Sequence, residues 1–75
     1  MNFEISLDQE EDGRWIAEIP ELPGVLVYGE TSVQAEVKAK ALSLRVLADR
    51  METDEPIPAF DSISFVSHHE PVAVN

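Results

Sequence analysis

From Ser32 to Met51 the chain runs twenty residues without a glycine or a proline, between shorter stretches that alternate apolar and polar residues. Apolar positions three and four apart in an unbroken segment specify a helix, whereas a period of two specifies strands. Thr31 is a suitable N-cap, and Gln34 follows three residues later at capping-box spacing. One long helix beside short strands makes this an α+β chain, in which the helix must bury an apolar face on a small sheet. Seventy-five residues form one domain, residues 1–75. Folding at that size removes only about 60% of the unfolded chain's surface from water, so the core is thin and a second copy or a partner is expected.

At 100° per residue, Val33, Val37, Ala41, Leu44, Leu47, Ala48 and Met51 gather on one side of the helix. This stripe is expected to pack on the sheet. Ala35, Ala39, Leu42 and Val46 make a second stripe on the opposite side. Either the chain's own C-terminal tail covers it, or it is a subunit contact in a homo-oligomer, a dimer or tetramer.

Phe3, Ile5 and Leu7 alternate with Glu4, Ser6 and Asp8, as in a strand with one buried face. Asp12-Gly13 supplies a turn. Arg14 to Ile19 alternates again, with Trp15, Ala17 and Ile19 on one face and Arg14, Ile16 and Glu18 on the other. Pro20 cannot donate a ladder hydrogen bond and ends this strand, and Pro23-Gly24 suits the central positions of a type II turn. Pro20, Pro23 and Gly24 thus form a stiff corner that sets where a third strand, Val25 to Tyr28, begins. Pro56 and Pro58 mark a connection after the helix, and Ile63, Phe65 and Val66 form a fourth strand. Two antiparallel hairpins and a helical crossover predict the order 3-2-1-4, with strand four parallel to strand one. Residues 1–66 are the expected folded core. Residues 67–75 are a tail whose Val72 and Val74 suit an edge strand on this copy or a neighbour.

The formal net charge is −10, and it is unevenly spread. Lys38, Lys40, Arg45 and Arg50 fall between Thr31 and Glu52, while twelve of the fifteen acids lie outside that span, so the rest of the chain carries −11. Such a surface repels phosphate backbones and attracts a basic partner, so no direct nucleic-acid binding is expected. The chain has no cysteine, no signal-like N-terminus and no apolar run of the ~18 residues that a membrane span needs. A cytoplasmic location is the default.

Reactive constellations are sparse. His68, His69 and Glu70 hold metal-ligand chemistry, but neighbouring strand residues point to opposite faces, so no metal site is expected. Ser67 beside His68 lacks a third group to orient a base, and the three isolated glycines open no phosphate loop. No cofactor is expected. Three antiparallel strands, a helix and a fourth strand do match the opening half of a ribonuclease H-like fold. Asp8 and Asp61, however, belong at opposite ends of parallel strands, roughly 15 Å apart at about 3.3 Å per residue. Two-metal cleavage needs ions about 4 Å apart, so nuclease activity is not expected.

Between Asp12 and Pro58 the chain resembles the HicB-like antitoxin family, the UPF0150 group. The likeness rests on Asp12-Gly13 before Trp15, then Ile19-Pro20-Glu21-Leu22-Pro23-Gly24, Gly29-Glu30-Thr31, and an alanine-rich helix closing near Glu55 and Pro56. It implies a partial ribonuclease H-like fold without nuclease activity, whose members mask small basic mRNA-cleaving toxins of the HicA type and assemble as dimers or larger oligomers. Many such antitoxins carry a C-terminal DNA-binding domain, and nothing after Phe60 is long or basic enough to be one. The residues expected to meet a partner are Glu10, Glu11, Asp12, Trp15, Glu18 and Glu21. The alternative is a stand-alone oligomeric module with a regulatory or small-molecule-binding role and no toxin.

Overall fold

The computed structural model of the chain describes residues 2–53 and 62–69. Strand β1 (Asn2–Gln9) pairs antiparallel with β2 (Trp15–Glu18), and β2 pairs antiparallel with β3 (Leu26–Gly29). Helix α1 (Ser32–Glu52) then crosses over to β4 (Ser64–His69), which lies parallel to β1. The sheet order is β3-β2-β1-β4, as the hairpin and crossover pattern predicts. The fourth strand runs past the expected boundary at residue 66, so Ser67 to His69 belong to the sheet and not to a tail. Residues 70–75, and Asp61 with the Pro56 and Pro58 connection, lie outside the described residues.

The corner after β2 is built as two consecutive turns. Leu22 donates its N–H to the Ile19 carbonyl at 3.0 Å, and Val25 donates to the Leu22 carbonyl at 3.0 Å. The second turn has Pro23 and Gly24 at its centre, with Gly24 at a φ of +94°, the left-handed value that a type II turn requires and a side chain resists. Each turn advances the chain by three residues, so Ile19, Leu22 and Val25 all point inward and are almost fully buried. The prolines therefore bring three core residues together over a short length of chain.

Helix α1 starts as its cap predicts: the Thr31 Oγ1 accepts the Gln34 N–H at 3.0 Å, and the Gln34 side chain reaches back to the Glu30 N–H at 2.6 Å. Its sheet-facing residues are Ala35, Ala39, Ser43 and Leu47, all buried. They meet Phe3, Ile5, Leu7, Ala17, Ile19, Leu22 and Val25, with Leu42 and Val46 packed at the margin. Leu47 faces the sheet as expected, but the rest of the expected orientation of the helix is reversed. Val33, Val37, Leu44 and Met51 are 67%, 58%, 49% and 53% exposed. Ala35, Ala39, Leu42 and Val46 contact the chain's own sheet and are not free to form an oligomer face. The reason is volume. The sheet supplies large side chains, and at native packing density the first turns of the helix approach them through the small Ala35, Ala39 and Ser43, with Leu47 filling the space further along. Ser43, the one buried polar residue among those described, donates its hydroxyl to the Ala39 carbonyl at 2.7 Å.

Candidate functional site: the open face of the sheet

Because α1 covers one face of the sheet, the alternate residues of each strand lie on the other. The register sets Tyr28 beside Ile16 and Ile16 beside Asp8, and in the next row Leu26 beside Glu18 and Glu18 beside Ser6. Leu26 and Tyr28 are 47% and 41% exposed, and Ile16 is half-buried between Tyr28 and Asp8. These three make an apolar patch, and Asp8, Glu18 and, further along β1, Glu4 frame it with exposed carboxylates. On the β4 side, Val66 pairs with Glu4, and the His68 Nε2 stands 3.4 Å from the Glu4 Oε1.

The β1–β2 turn projects from one end of this face. Glu10, Glu11, Asp12 and Arg14 line a shallow depression of about 380 Å³ there. Asp12 accepts the Arg14 backbone N–H at 3.1 Å and its Nε at 2.8 Å. The backbone hydrogen bond, helped by the guanidinium, holds the Asp12 carboxyl below its ordinary value. The Arg14 guanidinium also lies 4.7 Å from the centroid of the Tyr28 ring, a cation–π contact that joins the turn to the apolar patch.

The expected partner residues thus divide. Glu18 lies on the open face, and Glu10, Glu11 and Asp12 lie at its hairpin end. Glu21 serves the fold, because its carboxylate accepts the Glu4 N–H at 3.0 Å. Beyond the end of β2, Pro20 comes level with Glu4, and Glu21 supplies the acceptor there. Trp15 lies apart from these. It is half-buried against the core on the helix side, as its alternation with Ile16 requires, and is not part of the open face. Glu4, Asp8, Leu26 and Tyr28 were absent from the expected set. Their even spacing along β1 and β3 was a usable signal, but only the pairing register brings them beside Ile16 and Glu18.

The charge is sorted by the two sides of the sheet. Lys38, Lys40, Arg45 and Arg50 are all carried on α1, where Lys40 pairs with Glu36 at 3.2 Å and Lys38 donates to the Tyr28 carbonyl at 3.2 Å. Arg14 is the cation on the open side, and Asp12 pairs with it. Among the described residues no group of His, Asp and Glu is arranged to hold a metal ion. No helix among them is long and apolar enough to cross a membrane. The open face offers apolar area bordered by negative charge on its β1 side, a combination suited to docking a protein surface.

Comparison with protein-family models, with curated proteins and with solved structures gives no match.

Proposed function

We propose that the chain is a binding protein that captures a small basic protein on the open face of its sheet, in the manner of a HicB-like antitoxin masking a HicA-type toxin. The observation that carries this reading is the row of carboxylates, Glu4, Asp8 and Glu18, alongside Ile16, Leu26 and Tyr28. Four of the five Lys and Arg residues stand on α1, and the fifth, Arg14, is paired with Asp12. Charges around the rim speed and orient encounter, and the apolar centre, once desolvated, governs how slowly the complex separates. The resemblance between Asp12 and Pro58 names the class of partner, and the net charge of −10 supports a basic one independently.

The test is the association rate of a small basic HicA-type protein encoded in the neighbouring reading frame, measured against ionic strength. Asp8→Lys with Glu18→Lys is expected to slow association by about tenfold at low salt, and less once the Debye length falls to about 3 Å at 1 M salt. Tyr28→Ala is expected to act mainly on dissociation. Unchanged rates in both variants, or the lack of any such reading frame, would refute the reading.

A further inference from the structure

The two edges of the sheet are unlike. Strand β3 is four residues long, and hydrogen-bonded pairing of Ile19 with Val25 turns the backbone groups of Leu26 and Tyr28 outward. The Tyr28 carbonyl on that edge already holds the Lys38 ammonium. A short strand overlain by a lysine is a protected edge.

Among the described residues, nothing protects strand β4 in this way. The Glu10 N–H bonds to the Arg14 carbonyl, so the even residues of β1 bond to β2 and its odd residues bond to β4. Ile5 pairs with Ser67 in the parallel ladder, so Ile5 bonds to Val66 and His68, and the N–H and C=O groups of Phe65 and Ser67 point away from the sheet. The six residues of β4, SFVSHH, contain no proline, lysine, arginine or carboxylate. Both faces of the strand also keep apolar surface. Val66 is 48% exposed on the open side, and Phe65, 5.9 Å from Phe3 between ring centroids, is half-buried on the helix side. Helix α1 packs across β3, β2 and β1 and reaches β4 through polar side chains, with the Ser67 hydroxyl on Glu36 at 2.5 Å and the Lys40 ammonium 6.0 Å from the Phe65 ring.

The geometry points to β4 as the seam where two copies of this chain join, antiparallel across a two-fold axis, into one continuous eight-stranded sheet. Charge selects the occupant. In a chain of net charge −10, this strand is a strip without formal charge, so two copies meet there with least repulsion, while a basic protein finds no acid on it to attract it. A two-fold axis requires a self-complementary surface, and β4 provides one. Centred on Val66, the seam lets Phe65 and Ser67 of each copy exchange backbone hydrogen bonds with Ser67 and Phe65 of the other. The two Val66 side chains then stand opposite each other at a non-hydrogen-bonded position, about 4.5 Å apart between Cα atoms. The open faces of both copies remain free.

Sedimentation equilibrium on the full chain tests this, with an expected mass about twice the 8.3 kDa of one copy. Val66→Lys opposes two like charges on the axis and is expected to weaken the dimer by about tenfold or more. Leu44→Lys, on the exposed side of α1, is expected to leave it unchanged. The chain has no cysteine, so Val66→Cys is expected to give a disulfide-linked dimer on oxidation, the Cα separation being within disulfide reach. A wild-type monomer at 100 µM would overturn the proposal, as would a dimer that Leu44→Lys dissolves and Val66→Lys does not. Neither result bears on the basic partner of the open face, which is tested by association rate.

Discussion

At Gly29 the end of β3 lies close against the start of α1, and replacing it with alanine tests how tightly the helix is seated. A Cβ there would stand 2.5 Å from the Ala35 nitrogen, 2.9 Å from its Cα and 3.1 Å from its Cβ. Two of these are backbone atoms in the first turn of α1, and the Ala35 N–H is tied to the Thr31 carbonyl at 3.0 Å. They cannot rotate away, so β3 or the helix start must move by roughly 1 Å to restore ordinary contact. Overpacking costs about 1–3 kcal/mol, and backbone against backbone belongs at the upper end. Unfolding entropy near 2.1 cal/mol/K per residue makes 1 kcal/mol worth roughly 6 °C in a chain of this length, so Gly29→Ala is expected to lower Tm by roughly 12–20 °C. Gly13→Ala separates crowding from backbone strain. Gly13 has a φ of +92° and open space around it, whereas Gly29 is not among the positive-φ glycines. Its alanine variant carries only the left-handed penalty of about 1–2 kcal/mol, or roughly 6–12 °C. Calorimetric melts of both variants decide the matter. A smaller loss at Gly29 than at Gly13 would refute the close approach.

The orientation of α1 predicts that Ala39→Leu, at a fully buried position, lowers stability by about 1–3 kcal/mol, while Val37→Leu on the exposed side stays within about 0.5 kcal/mol. Denaturant midpoints measure both, and equal effects would show the helix turned the other way. Asp12 should titrate below its ordinary 3.8, because the Arg14 N–H and guanidinium favour its charged form. Its contribution to stability is therefore complete above the unfolded value and is lost as pH falls through the lower folded one. Carboxyl chemical shifts followed through the acid range give the midpoint, and Arg14→Ala should move it upward. A midpoint at or above 3.8 in the parent chain contradicts the hydrogen-bonded turn.

The strands, the helix and their order are legible in the sequence because each depends on local chemistry. Alternation marks Phe3, Ile5 and Leu7 as one face of a strand, Pro23-Gly24 demands a type II turn, and Thr31 with Gln34 opens a helix that no residue interrupts before Glu52. The hairpins and the single crossover then leave little freedom in the sheet order. The helix face was not legible, because both stripes are apolar and periodicity cannot rank them. The choice fell to Ala35 and Ala39 over Val33 and Val37 because small residues fit best in the first turns, between the helix axis and a sheet already filled by Phe3, Ile5, Leu7 and Leu22. The candidate site divides the same way. Alternation alone assigns Ile16 and Glu18 to one face and Trp15 to the other, but the company they keep depends on register, which sets Tyr28 and Asp8 on either side of Ile16. Register is a relation between residues distant in the chain, so it is settled only when the strands pair, and with it the acidic border of the open face and the place of β4 beside β1.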